Sequence, residues 1–185
     1  FAGSSDALAG RHPDLIAHRW GALAKDEDSG LISLNSAFAN AGVAITIAEK
    51  TRLERPVYLI FSGATSQSAT LPRIFIDLAK DSAATVIEHY SSVNPRIVNA
   101  VTEINCGPGS SLNYYEVQED SEKSWNTSAQ FASLDTGAHI STAHIDLGAE
   151  LSRNELFISL RGRHAEAECR GVFVADDKRY VENRV

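Results

Sequence analysis

Two thiols and one histidine–glutamate cluster are the side chains from which this 185-residue sequence would build chemistry. Cys106 stands just before the turn Gly107-Pro108-Gly109, on the same strand parity as Ile104. As a thiolate it would carry sulfur, bind iron or help hold a cofactor, yet no basic or histidine neighbour in sequence lowers its pKa. The competing reading is a half-buried small hydrophobe at a corner of the fold. Cys169 alternates with Ala165 and Ala167, the pattern of an inward-facing strand, so it is expected to be a buried structural thiol. The opposite parity carries His164, Glu166, Glu168 and Arg170. One imidazole with two carboxylates on a single strand face suits a divalent cation better than a sulfur-rich cluster. A solvated charged face, balanced by Arg170, is the plainer reading. His139 and His144 are five apart, on opposite faces of a strand, and do not ligate one metal together.

No serine nucleophile elbow with histidine and aspartate partners is visible. No GxxxxGK[ST] phosphate loop occurs, and Gly107-Pro108-Gly109 lacks the following helix that an anion site needs. No catalytic residue is therefore assigned, and no resident metal or cofactor is expected. Composition narrows the classes further. A net charge of −7 argues against a nucleic-acid partner and against docking on anionic lipid. Two cysteines are too few for a disulfide framework, which points to a reducing, cytoplasmic compartment. The longest aliphatic or aromatic run, Val57 to Phe61, is far short of a bilayer span. The chain starts at Phe1 and has no methionine, so a fragment is expected.

The elements that would position these residues are mostly strands. The first forty residues stand apart as an N-terminal segment. Within it, Pro13 to Leu23 reads as a short helix with Pro13 in its first turn, and Lys25 to Gly30 reads as a solvated loop. From residue 41 to residue 185 the pattern is strand, turn, strand, turn. Ile74, Ile76 and Leu78 alternate, as do Leu156, Ile158 and Leu160. The positions before successive turns, Leu78, Ile104, Leu134 and Leu160, recur every 26 to 30 residues, and Ile47 begins the series. Short strands at such a period, with low identity between units, predict an all-β solenoid, a parallel β-helix or flattened β-prism. A seven-stranded antiparallel sandwich is the alternative. Ile76, Leu78, Ile104, Leu156, Ile158, Leu160, Val172 and Val174 are expected to point inward.

Several stretches resemble the core of the SufB/SufD family of iron–sulfur cluster assembly proteins. They are Val101-Thr102-Glu103-Ile104, Leu112 to Gln118, Asp146 to Leu156, Leu160-Arg161-Gly162 with Ala165-Glu166-Ala167, and Gly171-Val172-Phe173. Leu34 to Ala39 and Arg55-Pro56-Val57 resemble the segment leading into that core. The resemblance runs from Leu34 to Val185, and Leu147-Gly148 with Leu151-Ser152-Arg153 is its most specific part. The SufD branch fits better than SufB. SufB proteins carry a sulfur-handling cysteine after a strand ending in glutamate, and in Val86 to Ser92 Tyr90 takes that place.

The resemblance implies a right-handed parallel β-helix acting as a non-enzymatic scaffold. It implies pairing with a SufB-like paralogue, and binding of a SufC-like ATPase through a region beyond Val185. A nascent iron–sulfur cluster would form in the full complex, near family histidine and cysteine positions also beyond Val185. Against it stand a secreted polysaccharide-active β-helix enzyme, a left-handed hexapeptide acyltransferase and a generic β-solenoid interaction module. The first would cluster aspartates on one face, whereas here they are scattered among turns; the second would show a six-residue aliphatic period, which is absent. Arg179 to Val185 reads as the start of a further strand, so either self-association through that end or a frayed terminus is expected.

Overall fold

A computed structural model describes every residue except 1, 4, 12, 26–28, 64–67 and 177. The chain begins with strand β1 (Ala2–Gly3) and helices α1 (Ser5–Arg11), α2 (Pro13–Arg19) and α3 (Gly30–Phe38). Pro13 opens α2 as expected, and Ser29 caps α3 by accepting a hydrogen bond from the Leu31 amide. The Lys25 to Gly30 loop falls in part outside the described residues.

Then come, among the described residues, the strands β2 (Ala41–Ile47), β3 (Val57–Ser62), β4 (Ser68–Thr70), β5 (Pro72–Leu78), β6 (Ala83–Ser92), β7 (Arg96–Cys106), β8 (Ser111–Asp120), β9 (Trp125–Leu134), β10 (His139–Asp146), β11 (Leu151–Leu160), β12 (Glu166–Phe173) and β13 (Tyr180–Arg184). They alternate between two sheets. One runs β1-β2-β5-β7-β9-β11-β13, with β4 also paired to β7; the other runs β12-β10-β8-β6-β3. Every pairing but β1 with β2 is parallel. Parallel neighbours that belong to successive passes of the chain make this a flattened parallel β-helix of about five coils, with rungs about 4.8 Å apart. The antiparallel sandwich is excluded.

Register sharpens the repeat. Ile47 pairs with Leu78, Leu78 with Cys106, Cys106 with Leu134 and Leu134 with Leu160. The residue equivalent to Leu78 is therefore Cys106; Ile104, expected there, pairs with Ile76 one step earlier. One turn of each coil carries a residue with left-handed backbone: Lys50, Asp81, Gly109, Gly137 and His164, with φ between 57° and 66°. Their amides step from coil to coil. Lys50 N donates to Lys80 O, Asp81 N to Pro108 O, Gly109 N to Thr136 O and Gly137 N to Arg163 O, each at 2.9 Å.

The N-terminal segment fastens onto the outer face of the larger sheet. There Glu103, on β7, accepts hydrogen bonds from the amides of Gly21, Leu23 and Ala24, and pairs with Arg73 of β5 at 2.5 Å. Trp20 lies over the Arg73 guanidinium at 5.1 Å. Asn35 of α3 donates to the carbonyls of Pro72 and Asn99. A buried ion pair is costly to desolvate unless its remaining atoms are satisfied, and these backbone amides supply that satisfaction for Glu103.

Three expected core positions are corrected. Ile76, Leu78, Ile104 and Leu156 are buried, and Ile158 packs partly against the same core. Leu160, Val172 and Val174 are 55%, 59% and 49% exposed. Leu160 shares the inward register of Leu134 but lies in the last coil, where β13 covers only Leu151–Glu155 of β11. Val172 is in register with Ile145 and Val117, on the outward parity of that sheet, and Val174 follows it on the same parity, so neither was placed to enter the core. Cys169 is exposed because β12 has a neighbour on one side only among the described residues. Its inward parity is as expected, in register with the buried Thr142 and Tyr114, but no further rung covers it.

Candidate functional site

Inside the solenoid, the backbone alternation that turns Ile76 and Leu112 inward does not stop where the side chains become polar. Towards the Gly107-Pro108-Gly109 turn the interior is apolar, with Ile74, Ile76, Leu78, Val86, Ile104, Cys106, Leu112, Leu134 and Ile140 in one cluster. Further along β6, β8 and β10 the same inward parity brings Glu88, Glu116 and His144 together as successive register partners, 28 residues apart. Beside them runs a second column, Tyr90, Gln118 and Asp146. All six are buried. From the facing sheet come Thr102, Ser128, Gln130 and Asn154, also buried.

Hydrogen bonds tie the two walls together. Glu88 accepts from Thr102 at 3.2 Å and from Tyr90 at 3.1 Å. Glu116 Oε2 accepts from the Gln130 amide. Asp146 is held by Ser152 at 2.7 Å and by Asn154, while Ser128 donates to Asn154 at 2.7 Å. At the far end Arg96 donates to Asp120 at 2.8 Å and to the Phe61 carbonyl, with Asn126 also on Asp120. Other buried atoms find no hydrogen-bond partner among the described residues: Glu116 Oε1, Gln130 Oε1, Thr142 Oγ1 and both ring nitrogens of His144. Buried polar atoms are seldom left in this state.

Burial sets the charge of these groups. It raises the Glu88 carboxyl to about 7, against the opposing hydroxyl donors. It also raises Glu116 well above the ordinary carboxyl value, helped by the negative charges of Glu88 and Asp146. It lowers His144, with Asp146 acting the other way, so the imidazole favours its neutral form. The arrangement can hold and exchange protons. Among the described residues it offers no paired nucleophile and base.

The sequence-derived candidates lie elsewhere. Cys106 is fully rather than half buried, in the apolar cluster, and burial pushes its thiol up to about 12. It borders an open groove of about 830 Å³ lined also by His18, Asp77, Asn105 and Arg161, with Arg19 and Asp77 paired across it at 3.0 Å. His164 sits in a turn with φ 60°, before β12 begins at Glu166, and so is not on the strand face that carries the two glutamates. Glu168 pairs with Arg170. Among the described residues no three His, Cys, Asp or Glu side chains are spaced to hold a metal ion. His139 and His144 do point to opposite faces, and His144 lines a cavity of about 170 Å³ that Cys169 also borders. Arg153 bridges rungs, pairing with Glu155 at 2.7 Å and lying 3.7 Å from Glu182.

Glu88 and Glu116 escaped the sequence reading as site residues, and His144 was weighed only against His139, because a strand that alternates Tyr114, Glu116 and Gln118 with Tyr115 and Val117 suggests that the polar parity faces water. The signal that finds them is the double 28-residue spacing, Glu88 to Glu116 to His144 and Tyr90 to Gln118 to Asp146, which equals one coil.

Fold and interior together define a flattened parallel β-solenoid with a buried polar column along part of its length. Comparison with known families makes the assignment specific. Residues 60–185 match the SufBD core domain of the SUF system of iron–sulfur cluster assembly, and residues 1–59 match the SufBD protein N-terminal region. The chain belongs to the SufB/SufD family. It is 26% identical over 93 residues to the iron-sulfur cluster assembly protein SufD of Bacillus subtilis (strain 168), an alignment covering 49% of this chain and 21% of that relative. No helix among the described residues is long and apolar enough to cross a membrane.

Proposed function

We propose that this chain is the β-helical part of a SufD-type scaffold, a non-catalytic subunit in iron–sulfur cluster assembly. The observation that carries the reading is the family match across 60–185 on an uninterrupted parallel solenoid. Tyr90 supports the SufD branch. It stands where the resemblance places the sulfur-handling cysteine of SufB, it is fully buried, and its hydroxyl is committed to Glu88. A phenol there neither accepts nor passes on sulfane sulfur. Cys106 does not replace that cysteine, since its thiol stays protonated at neutral pH and its side chain fills the core.

In this reading the complete protein pairs with a SufB-like paralogue, and a SufC-like ATPase binds through a region beyond Val185. The nascent cluster belongs to the complex as its product, in a cytoplasmic setting. Co-expression of the full-length protein with such a paralogue and ATPase, followed by size-exclusion chromatography and an ATPase assay, tests this. A stable ternary complex is expected, with hydrolysis abolished by changing the phosphate-loop lysine of the ATPase. Hydrolysis by this protein alone, lost on changing one of its own residues, would overturn the assignment.

A further inference from the structure

Glu88 and Glu116 are direct register partners on adjacent rungs of the solenoid, both turned inward and both buried. The groups facing them can be followed element by element. From β3 come Leu59 and Phe61, from β6 Tyr90, and from β7 Thr102. From β8 come Tyr114 and Gln118, from β9 Ser128 and Gln130, and from β10 Thr142, His144 and Asp146. None of these is a lysine or arginine. Arg96, a cation in the same half, is committed to Asp120. His144 leans neutral, and Asp146 adds negative charge rather than relieving it. Two carboxylates a rung apart, about 4.8 Å between backbones, with no counter-ion and little water, cannot both ionise without a large cost.

We propose that Glu88 and Glu116 form a proton-binding site inside the solenoid, holding at least one proton between them at neutral pH, and that its loss loosens the polar half while the apolar half stays packed. The proton enters from solvent and returns to it; no bond other than O–H forms or breaks. The site stands on the side-chain arrangement alone and does not depend on the family's role.

The pH window follows from the two kinds of group. A carboxyl whose folded pKa is raised contributes fully below its ordinary value of 4.5, and that contribution is lost as pH rises through the folded value, about 7 for Glu88; Glu116 is raised in the same direction. His144 works oppositely. Its folded pKa lies below 6.5, so it removes stability as pH falls below that value. The slopes compensate under mildly acidic conditions. Above about 6.5 the carboxyls act alone, up to the range where ordinary thiols begin to titrate.

The test is chemical unfolding of the full chain between pH 6.5 and 8.0, for wild type, Glu88→Gln and Glu116→Gln. For the wild type the folding constant is expected to fall with pH, by up to tenfold per unit for each proton released. Each glutamine variant should flatten that slope, while His144→Asn should leave it unchanged in this window. Hydrogen exchange, corrected for intrinsic rates, should show amides near Glu88 and Glu116 losing protection with pH, and those near Ile76 and Ile104 keeping it. Infrared difference spectra of the wild type should show a protonated carboxyl stretch at pH 7. Slopes equal to wild type in both glutamine variants would overturn the proposal. If neither variant folds, the absence of a protonated carboxyl band from the wild type at pH 7 would overturn it.

Discussion

In one half of the interior Leu78, Cys106 and Leu134 stack as register partners; in the other, Glu88, Glu116 and His144 do. The backbone is the same in both, parallel, with a side chain turned inward at every second residue. The difference lies in how each half tolerates imperfection. Apolar packing is non-directional, so the first column accepts a thiol between two leucines without an unsatisfied atom. Hydrogen bonding is directional and saturable, and the polar column leaves Glu116 Oε1 and both His144 nitrogens without partners. One half supplies stability broadly; the other is responsive to solvent composition.

The largest expected effect separates the halves most sharply. Arg96→Ala removes one member of a fully buried ion pair and strands Asp120, at a cost of about 3–5 kcal/mol. Urea unfolding should show the loss, and Asp120→Ala on the Arg96→Ala background should add little to it. A fully additive double variant would mean that the polar half is held by other means. Next is Leu134→Ala in the apolar half, expected to cost about 2–5 kcal/mol. Its diagnostic is pH-independence from 6.5 to 8.0, and a cost that grew with pH would couple the halves. Tyr90→Phe removes a buried hydroxyl that donates to Glu88 and should cost about 1 kcal/mol by the same assay. The smallest effect on stability, though a clear one on rate, concerns the thiols. Mass spectrometry after iodoacetamide treatment should show Cys169 modified first and Cys106 protected until the chain unfolds. Equal rates would mean that the apolar half opens locally.

The strand periods of β5 and β11 and the coil length were legible in the sequence, because alternation and repeat spacing are backbone properties that survive low identity. The family was legible too, in the segment around Leu147 to Arg153. Two things were not. The equivalence of Cys106 with Leu78 was missed by two residues, since Ile104 looks the better hydrophobe and only register decides between them. Leu160 alternates like a core residue, but its burial depends on a neighbouring rung that no local pattern reveals, while Val172 and Val174 fall on the outward parity that only the register with Ile145 and Val117 discloses. His164 failed as a partner of Glu166 and Glu168 because a left-handed turn ends where a continuous strand was assumed.

The chain of left-handed turns, from Lys50 through Asp81, Gly109 and Gly137 to His164, also has a mechanical side. Its hydrogen bonds, like those of the strands, lie along the solenoid axis. Tension applied along that axis would load one rung at a time and peel coils from an end. Tension applied along the strands would set a whole ladder in shear, and many bonds would have to yield together. The molecule should thus be soft to pulling in one direction and stiff in the perpendicular one. A subunit gripped at its coil ends would then yield by shedding single coils, while the body of the solenoid carried sideways load unchanged.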